Sequence, residues 1–304
     1  MTFKRIMLFL LIIILFSCNK NGKILPENTG KQNEVILVIE DKLWGGNKGK
    51  ILKEVFEKEI EGIYQSEKLF KLIQINSKEF SRFFKTHKNI IFVSSYKKDS
   101  YDKNKWAKDQ TVVYLNSDSE ETDFRKSCQE TFNFLDRKEI EQIKNNYKKG
   151  YNENASLYIK EEFGFEIFLP AEYTVSLKKD RVFISDFHSF NEKQDLLKYI
   201  IVHEFKPTDY ELQEEEVVIK TDSVLKQYIL GSIEGSYVQI DNQIPLIEDN
   251  GIYKGLWFLK NGFMGGPIII KTRHVEDKIV VSLGIIFHPN ENKRNFVRTF
   301  EAIL

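Results

Sequence analysis

The apolar run from Ile6 to Phe16 decides where the rest of this chain must fold. Lys4 and Arg5 stand before it, and the small residue Ser17 stands directly ahead of Cys18. A short positive region, an apolar stretch and a small residue at the exit form a secretory signal peptide. The run is about half of the roughly 20 residues that span a bilayer, so removal rather than retention as a membrane helix is expected. Everything after it is then expected to fold outside the cytoplasm.

The sequence Leu15-Phe16-Ser17-Cys18 resembles the bacterial lipobox, in which the Cys is acylated and becomes the first mature residue. Phe16 departs from the small or aliphatic residue usual there. The expected organisation is a signal peptide over 1–17, lipid attachment at Cys18, and a flexible tether over 18–33, whose Gly22, Pro26 and Gly30 lie among polar residues. The first partner is then a membrane, reached through the N-terminal lipid.

Formal charge is zero, with 45 basic against 45 acidic residues. A near-neutral exported chain has no field to draw in nucleic acid, so that partner is excluded. An aromatic content of 13% promises a substantial core over the residues that follow the tether. With Cys18 taken by lipid, Cys128 has no intramolecular partner and reads as a lone thiol.

The folded body starts at Val35-Ile36-Leu37-Val38-Ile39, a continuous apolar run that suits a strand covered on both faces. Ile51, Leu52, Val55, Phe56 and Ile60 follow at helical spacing. Strands are expected at 70–75, 90–93 and 111–115, a short helix after Ser77, and a loop over 95–110. From Ser119 a helix carries Phe124, Cys128, Phe132 and Leu135 on one face, which makes Cys128 a small buried hydrophobe. Lys148-Lys149-Gly150 ends it. The boundary falls there, between an N-terminal α/β domain over 34–150 and a C-terminal antiparallel domain over 151–304.

The second half is predicted to hold a helix over 155–163 and strands at 165–169, 173–177, 182–187 and 199–205. A helix capped by Asp222 follows, then strands at 236–240, 253–259, 268–273 and 279–287, and a closing helix from Asn292. Asn261-Gly262 marks a tight turn, and Gly265-Gly266 before Pro267 is expected to break or kink its strand. The acidic run Glu214-Glu215-Glu216 reads as a solvated loop. The fold class is α+β.

Five stretches carry a family resemblance: LPENTGKQNEVILVIEDKLWGG, WAKDQ, DSVLKQYILGSIEGSY, GLWFLKNGFMGGP and KRNFVRTFEAIL. Together they resemble, over the whole chain, a lipoprotein family of the Bacteroidota known as domain of unknown function 4837. The resemblance implies a lipoprotein without an assigned activity. Asn19-Lys20 after the Cys, in place of acidic residues, is similar to lipoproteins of that group held in the outer membrane facing the periplasm. The second half is also similar in element order to the PsbP-type fold, whose members mostly bind partners.

No residue constellation carries a reaction. The loop Trp44-Gly45-Gly46-Asn47-Lys48-Gly49-Lys50 lies between a strand and a helix, where phosphate loops lie, but Trp44 and Ile51 stand where the Walker pattern needs Gly and Ser or Thr. Five histidines are scattered singly, without ligand spacing. His203 alternates with apolar residues and reads as a hydrogen-bonded sheet histidine. No cofactor is expected. Trp44 and Trp106 in loops, with Trp257, Phe263 and Met264 near the Gly-Gly-Pro, form the candidate surface for a protein or glycan partner. The expected function is non-enzymatic binding or assembly, against a competing reading as an envelope hydrolase or other enzyme whose acidic site forms only in the fold.

Overall fold

The structure, a computed structural model, describes residues 24–191, 194–208, 213–249 and 251–304. The expected signal peptide and the expected lipid attachment at Cys18 lie outside the described residues. The first half is a five-stranded sheet in the order β2-β1-β3-β5-β4. β1 (Glu34–Ile39), β2 (Lys71–Ile75), β3 (Asn89–Ser94) and β5 (Thr111–Asn116) are parallel, and β4 (Ser100–Lys103) pairs antiparallel with β5. Alternation in β1 splits its apolar run between two faces. Val35, Leu37 and Ile39 enter the main core, while Ile36 and Val38 meet Ile90 and Val112 on the opposite face. Helices α1 (Asp41–Trp44) and α2 (Asn47–Phe56) follow β1, and the long α3 (Glu121–Tyr147) packs beside α2. Phe56, Phe70 and Phe132 meet edge-to-face there, with centroids 5.6–6.1 Å apart. Among the described residues no helix is long and apolar enough to cross a membrane.

The second half is an antiparallel sheet in the order β10-β11-β12-β13-β8-β7-β6, with β9 also on β11. Its strands are β6 (Thr174–Lys179), β7 (Val182–Asn191), β8 (Gln194–Phe205), β9 (Tyr237–Ile240), β10 (Ile247–Asp249), β11 (Ile252–Lys260), β12 (Gly265–Val275) and β13 (Lys278–Phe287). α4 (Glu153–Phe163) and α6 (Arg294–Ile303) feed residues into the core on one face, and α5 (Gln213–Tyr228) covers the other. The fold is α+β. One apolar cluster runs from Val35 and Phe132 through Ile286 to Val297 and Phe300, so the two sheets share a core, joined where α3 packs on α6.

Five expectations are corrected. The expected tether is docked from Pro26 onward: the Lys108 N–H donates to the Pro26 carbonyl, the Thr29 N–H to Thr86, and the Lys88 N–H to Thr29, each at 2.8–2.9 Å. Asn33 is fully buried. Main-chain pairing holds this polar segment, and apolar periodicity cannot register it. The expected loop 95–110 contains β4, an edge strand without an apolar face, for the same reason. The expected strand at 165–169 belongs to no sheet; Ile167 and Leu169 are buried by packing, the Leu169 N–H donates to Ser156 Oγ at 3.2 Å, and the Leu169 carbonyl accepts from the Asn152 N–H at 2.8 Å. Glu214–Glu216 lie in α5, not in a loop, and Asp222 sits inside that helix, accepting from the Ile240 N–H at 2.7 Å and tying α5 to β9.

Buried titratable groups make the fold sensitive to acid. His203 lies in the sheet beneath α5, its Nε2 3.1 Å from Thr221 Oγ1, and burial pushes its pKa from an ordinary 6.5 to about 4. Burial also lowers His87. A histidine with a depressed folded pKa takes up a proton more readily when unfolded, so stability falls as pH drops from 6.5 toward 4. The loss attributable to His203 is on the order of 3 kcal/mol. Urea midpoints should fall between pH 7 and pH 4.5, and His203→Gln should flatten the profile. An unchanged profile in that variant would contradict the assignment.

Candidate functional site

The β11–β12 hairpin builds the most distinctive surface of the second half. Trp257 pairs with Gly266 and Phe258 with Gly265, and residues 261–264 make the connection. Asn261 adopts φ 57°, as a turn position that Asn tolerates. Gly265-Gly266-Pro267 does not break the strand; all three residues belong to β12. The glycines answer instead to close approach. A Cβ on Gly266 would lie 2.0 Å from the Ile286 carbonyl oxygen and 3.3 Å from Trp257 Nε1. The bare backbone lets the Trp257 indole lie across the strand and donate to that carbonyl at 3.1 Å.

Trp257 is therefore buried, and it forms the floor of a cleft of about 380 Å³. Phe258, Phe263 and Pro267 contribute from the hairpin, Phe287 and Pro289 from the end of β13, and Tyr64 and Gln65 from the first half. The seam is fixed by Glu67, whose carboxylate accepts from the N–H groups of Lys293 at 2.6 Å and Arg294 at 2.9 Å. A carboxylate from one half thus caps the first turn of α6 in the other, where the helix dipole favours negative charge. Lys293 Nζ donates to Gln65 Oε1 at 3.0 Å, completing the wall. At the rim Phe263 is wholly exposed and Tyr64 is 85% exposed. Met264 is half-buried and packs against the core beneath α5.

The other two tryptophans are placed elsewhere. Trp44 is half-buried against the main core, with Lys53 Nζ 4.1 Å over its ring. The expected Gly-rich loop is mostly helical: only Gly45 and Gly46 separate α1 from α2. A Cβ on Gly49, in the first turn of α2, would lie 1.8 Å from the Trp44 carbonyl oxygen, so the two helices meet there by close approach. Trp106 caps the outer face of the parallel sheet, 6.1 Å from Phe80 and 6.4 Å from Phe92. The cleft thus holds Trp257 and Phe263, whereas Met264 packs into the core beneath α5, and Trp44 and Trp106 lie elsewhere. Tyr64 and Gln65 lie in an aperiodic segment and Lys293 at the start of the closing helix, so nothing local marks them, and they meet only across the seam.

A second cavity, of about 290 Å³ and polar, lies at the same junction and includes Lys58, Glu61, Asp136, Glu248, Lys254 and Arg298. Arg298 donates to Asp136 and, at 2.5 Å, to Glu301, and Lys254 pairs with Glu301 at 2.7 Å. Burial holds the Asp136 carboxyl above its usual range, against the opposing pull of Arg298. These ion pairs tie α3, α6 and β11 together. Cys128 is fully buried in α3, and burial pushes its thiol up to about 12, which leaves it unreactive.

Two family profiles divide the chain. The family described as Domain of unknown function (DUF8532) matches residues 28–148, and Domain of unknown function (DUF4837) matches residues 152–304. The chain belongs to the DUF4837 family. The DUF4837 region contains DSVLKQYILGSIEGSY, the hairpin GLWFLKNGFMGGP and the closing KRNFVRTFEAIL, so the cleft floor and its Phe263 rim fall inside it. The whole-chain resemblance is corrected to this half: LPENTGKQNEVILVIEDKLWGG and WAKDQ fall outside the DUF4837 match. No curated protein and no solved structure matches the chain.

Proposed function

We propose that this protein is a lipid-anchored binding or assembly factor of the cell envelope, held through Cys18 on the outer membrane and facing the periplasm. Its partner, a protein or glycan, docks at the cleft between the β11–β12 hairpin and the 61–66 loop. The wholly exposed Phe263 ring beside a mainly apolar cleft is the observation that carries this reading. A large aromatic held at a cleft rim supplies contact area when a partner desolvates it. The export signal and the lone Cys18 behind an apolar run support the anchor.

A photo-crosslinking amino acid at position 263 in native cells should give a discrete adduct on irradiation, and the same probe at exposed Leu157 should not. Phe263→Ala should reduce co-purification of that partner while changing stability by no more than about 0.5 kcal/mol. Identical adducts at both positions, or none at 263, would refute the docking site. Metabolic labelling with an alkyne fatty acid should mark the wild type and leave Cys18→Ala unmarked; equal labelling would refute the anchor.

A further inference from the structure

The outer face of the parallel sheet carries an aromatic and basic surface that the cleft does not involve. Phe83 is 82% exposed, held edge-on to Phe84 at 5.3 Å, and Phe84 leads through Phe80 to Trp106. The N-terminal segment enters at this surface. Pro26 and Asn28 bond the main chain of Lys108, Thr29 bonds Thr86, and Ile24, just upstream, is 92% exposed. Lys78, Arg82 and Lys85 lie on the same stretch, and among the described residues none has a carboxylate within 4.0 Å, although Glu79 is their sequence neighbour. Lys105 and Lys108, by contrast, are paired with Asp102 and Glu27.

We propose that this surface, with Ile24, Phe83 and Trp106 as its apolar members and Lys78, Arg82 and Lys85 as its cations, rests on the headgroup layer of the bilayer that holds the anchor. The inference depends on acylation at Cys18. Its basis is reach: Cys18 precedes Pro26 by eight residues, which span at most about 28 Å fully extended. Pro26 is pinned to the Trp106 loop, so an acylated Cys18 keeps this face close to lipid. Aromatic rings and cations together suit a bilayer interface, where rings enter the acyl boundary and cations meet anionic headgroups.

The test uses full-length acylated protein carrying Phe83→Cys labelled with bimane, in vesicles of phosphatidylethanolamine and phosphatidylglycerol. Buried Cys128 should not take the label. The label should shift to the blue on vesicle binding and lose intensity when the acyl chains are brominated, and Lys78→Glu, Arg82→Glu and Lys85→Glu combined should reverse both changes. If the protein floats with vesicles but emission is the same with brominated and plain lipid, the headgroup contact is overturned and the anchor stands. If the chain carries no acyl group and does not float, anchor and contact both fall.

Discussion

Alanine in place of Arg298 should destabilise the protein by about 3–5 kcal/mol, the range for a buried ion pair that loses one partner. Arg298 is 4% exposed and is shared between Asp136 on α3 and Glu301 on its own helix, while Lys254 on β11 holds the other oxygen of Glu301. Two acids and two bases balance within the junction. Without the guanidinium, the half-buried Asp136 is left facing the buried Glu301, and both carboxylates repel. The pH dependence has a definite sign. Burial already raises the Asp136 pKa, so its ionised form costs stability as pH rises above the ordinary 3.8. Removal of Arg298 raises that pKa further, so the gap between variant and wild type should widen from pH 4 to pH 7. Urea titrations at both values read it directly. Replacing all four residues together, Asp136→Leu, Lys254→Met, Arg298→Met and Glu301→Leu, should restore much of the loss, because no uncompensated charge is left behind. A single variant as stable as wild type would mean that the network does not join the halves.

At that junction local sequence pattern no longer encodes the contacts. β1, its parallel neighbours and the face of α3 were legible because apolar periodicity is local: Val35 to Ile39 needs no distant partner to read as a covered strand. Asp136, Lys254, Arg298 and Glu301 are ordinary exposed charges by that criterion, and only the packing of α3 on α6 makes them a network. Residues 26–33 and β4 escaped for a related reason. Both are held by main-chain bonds at sheet margins, which leave no side-chain pattern. The candidate cleft was half legible: Trp257 and Phe263 drew attention through the Gly-rich stretch around them, whereas Tyr64 and Lys293, 229 positions apart, meet only across the seam.

Gly266→Ala should cost roughly 4 kcal/mol, combining about 1–3 for overpacking with about 1–3 for a buried indole N–H that loses its acceptor. The added Cβ would stand 2.0 Å from the Ile286 carbonyl oxygen, a main-chain atom on the neighbouring β13 that cannot rotate away. Strands β12 and β13 must part, or the Trp257 ring must leave the carbonyl to which it donates at 3.1 Å. Either response disturbs the cleft floor. Denaturant unfolding should therefore show the stability loss, and tryptophan emission of the folded variant should move to the red as Trp257 loses its burial. Gly150→Ala is the matched control, because a Cβ there meets nothing within 4 Å and the expected change is within about 0.5 kcal/mol. Since the proposed docking cleft depends on this floor, Gly266→Ala should also weaken crosslinking from position 263. Wild-type stability and emission in Gly266→Ala would show that the strand can shift at little cost, and the explanation of the Gly-Gly-Pro by close approach would be wrong.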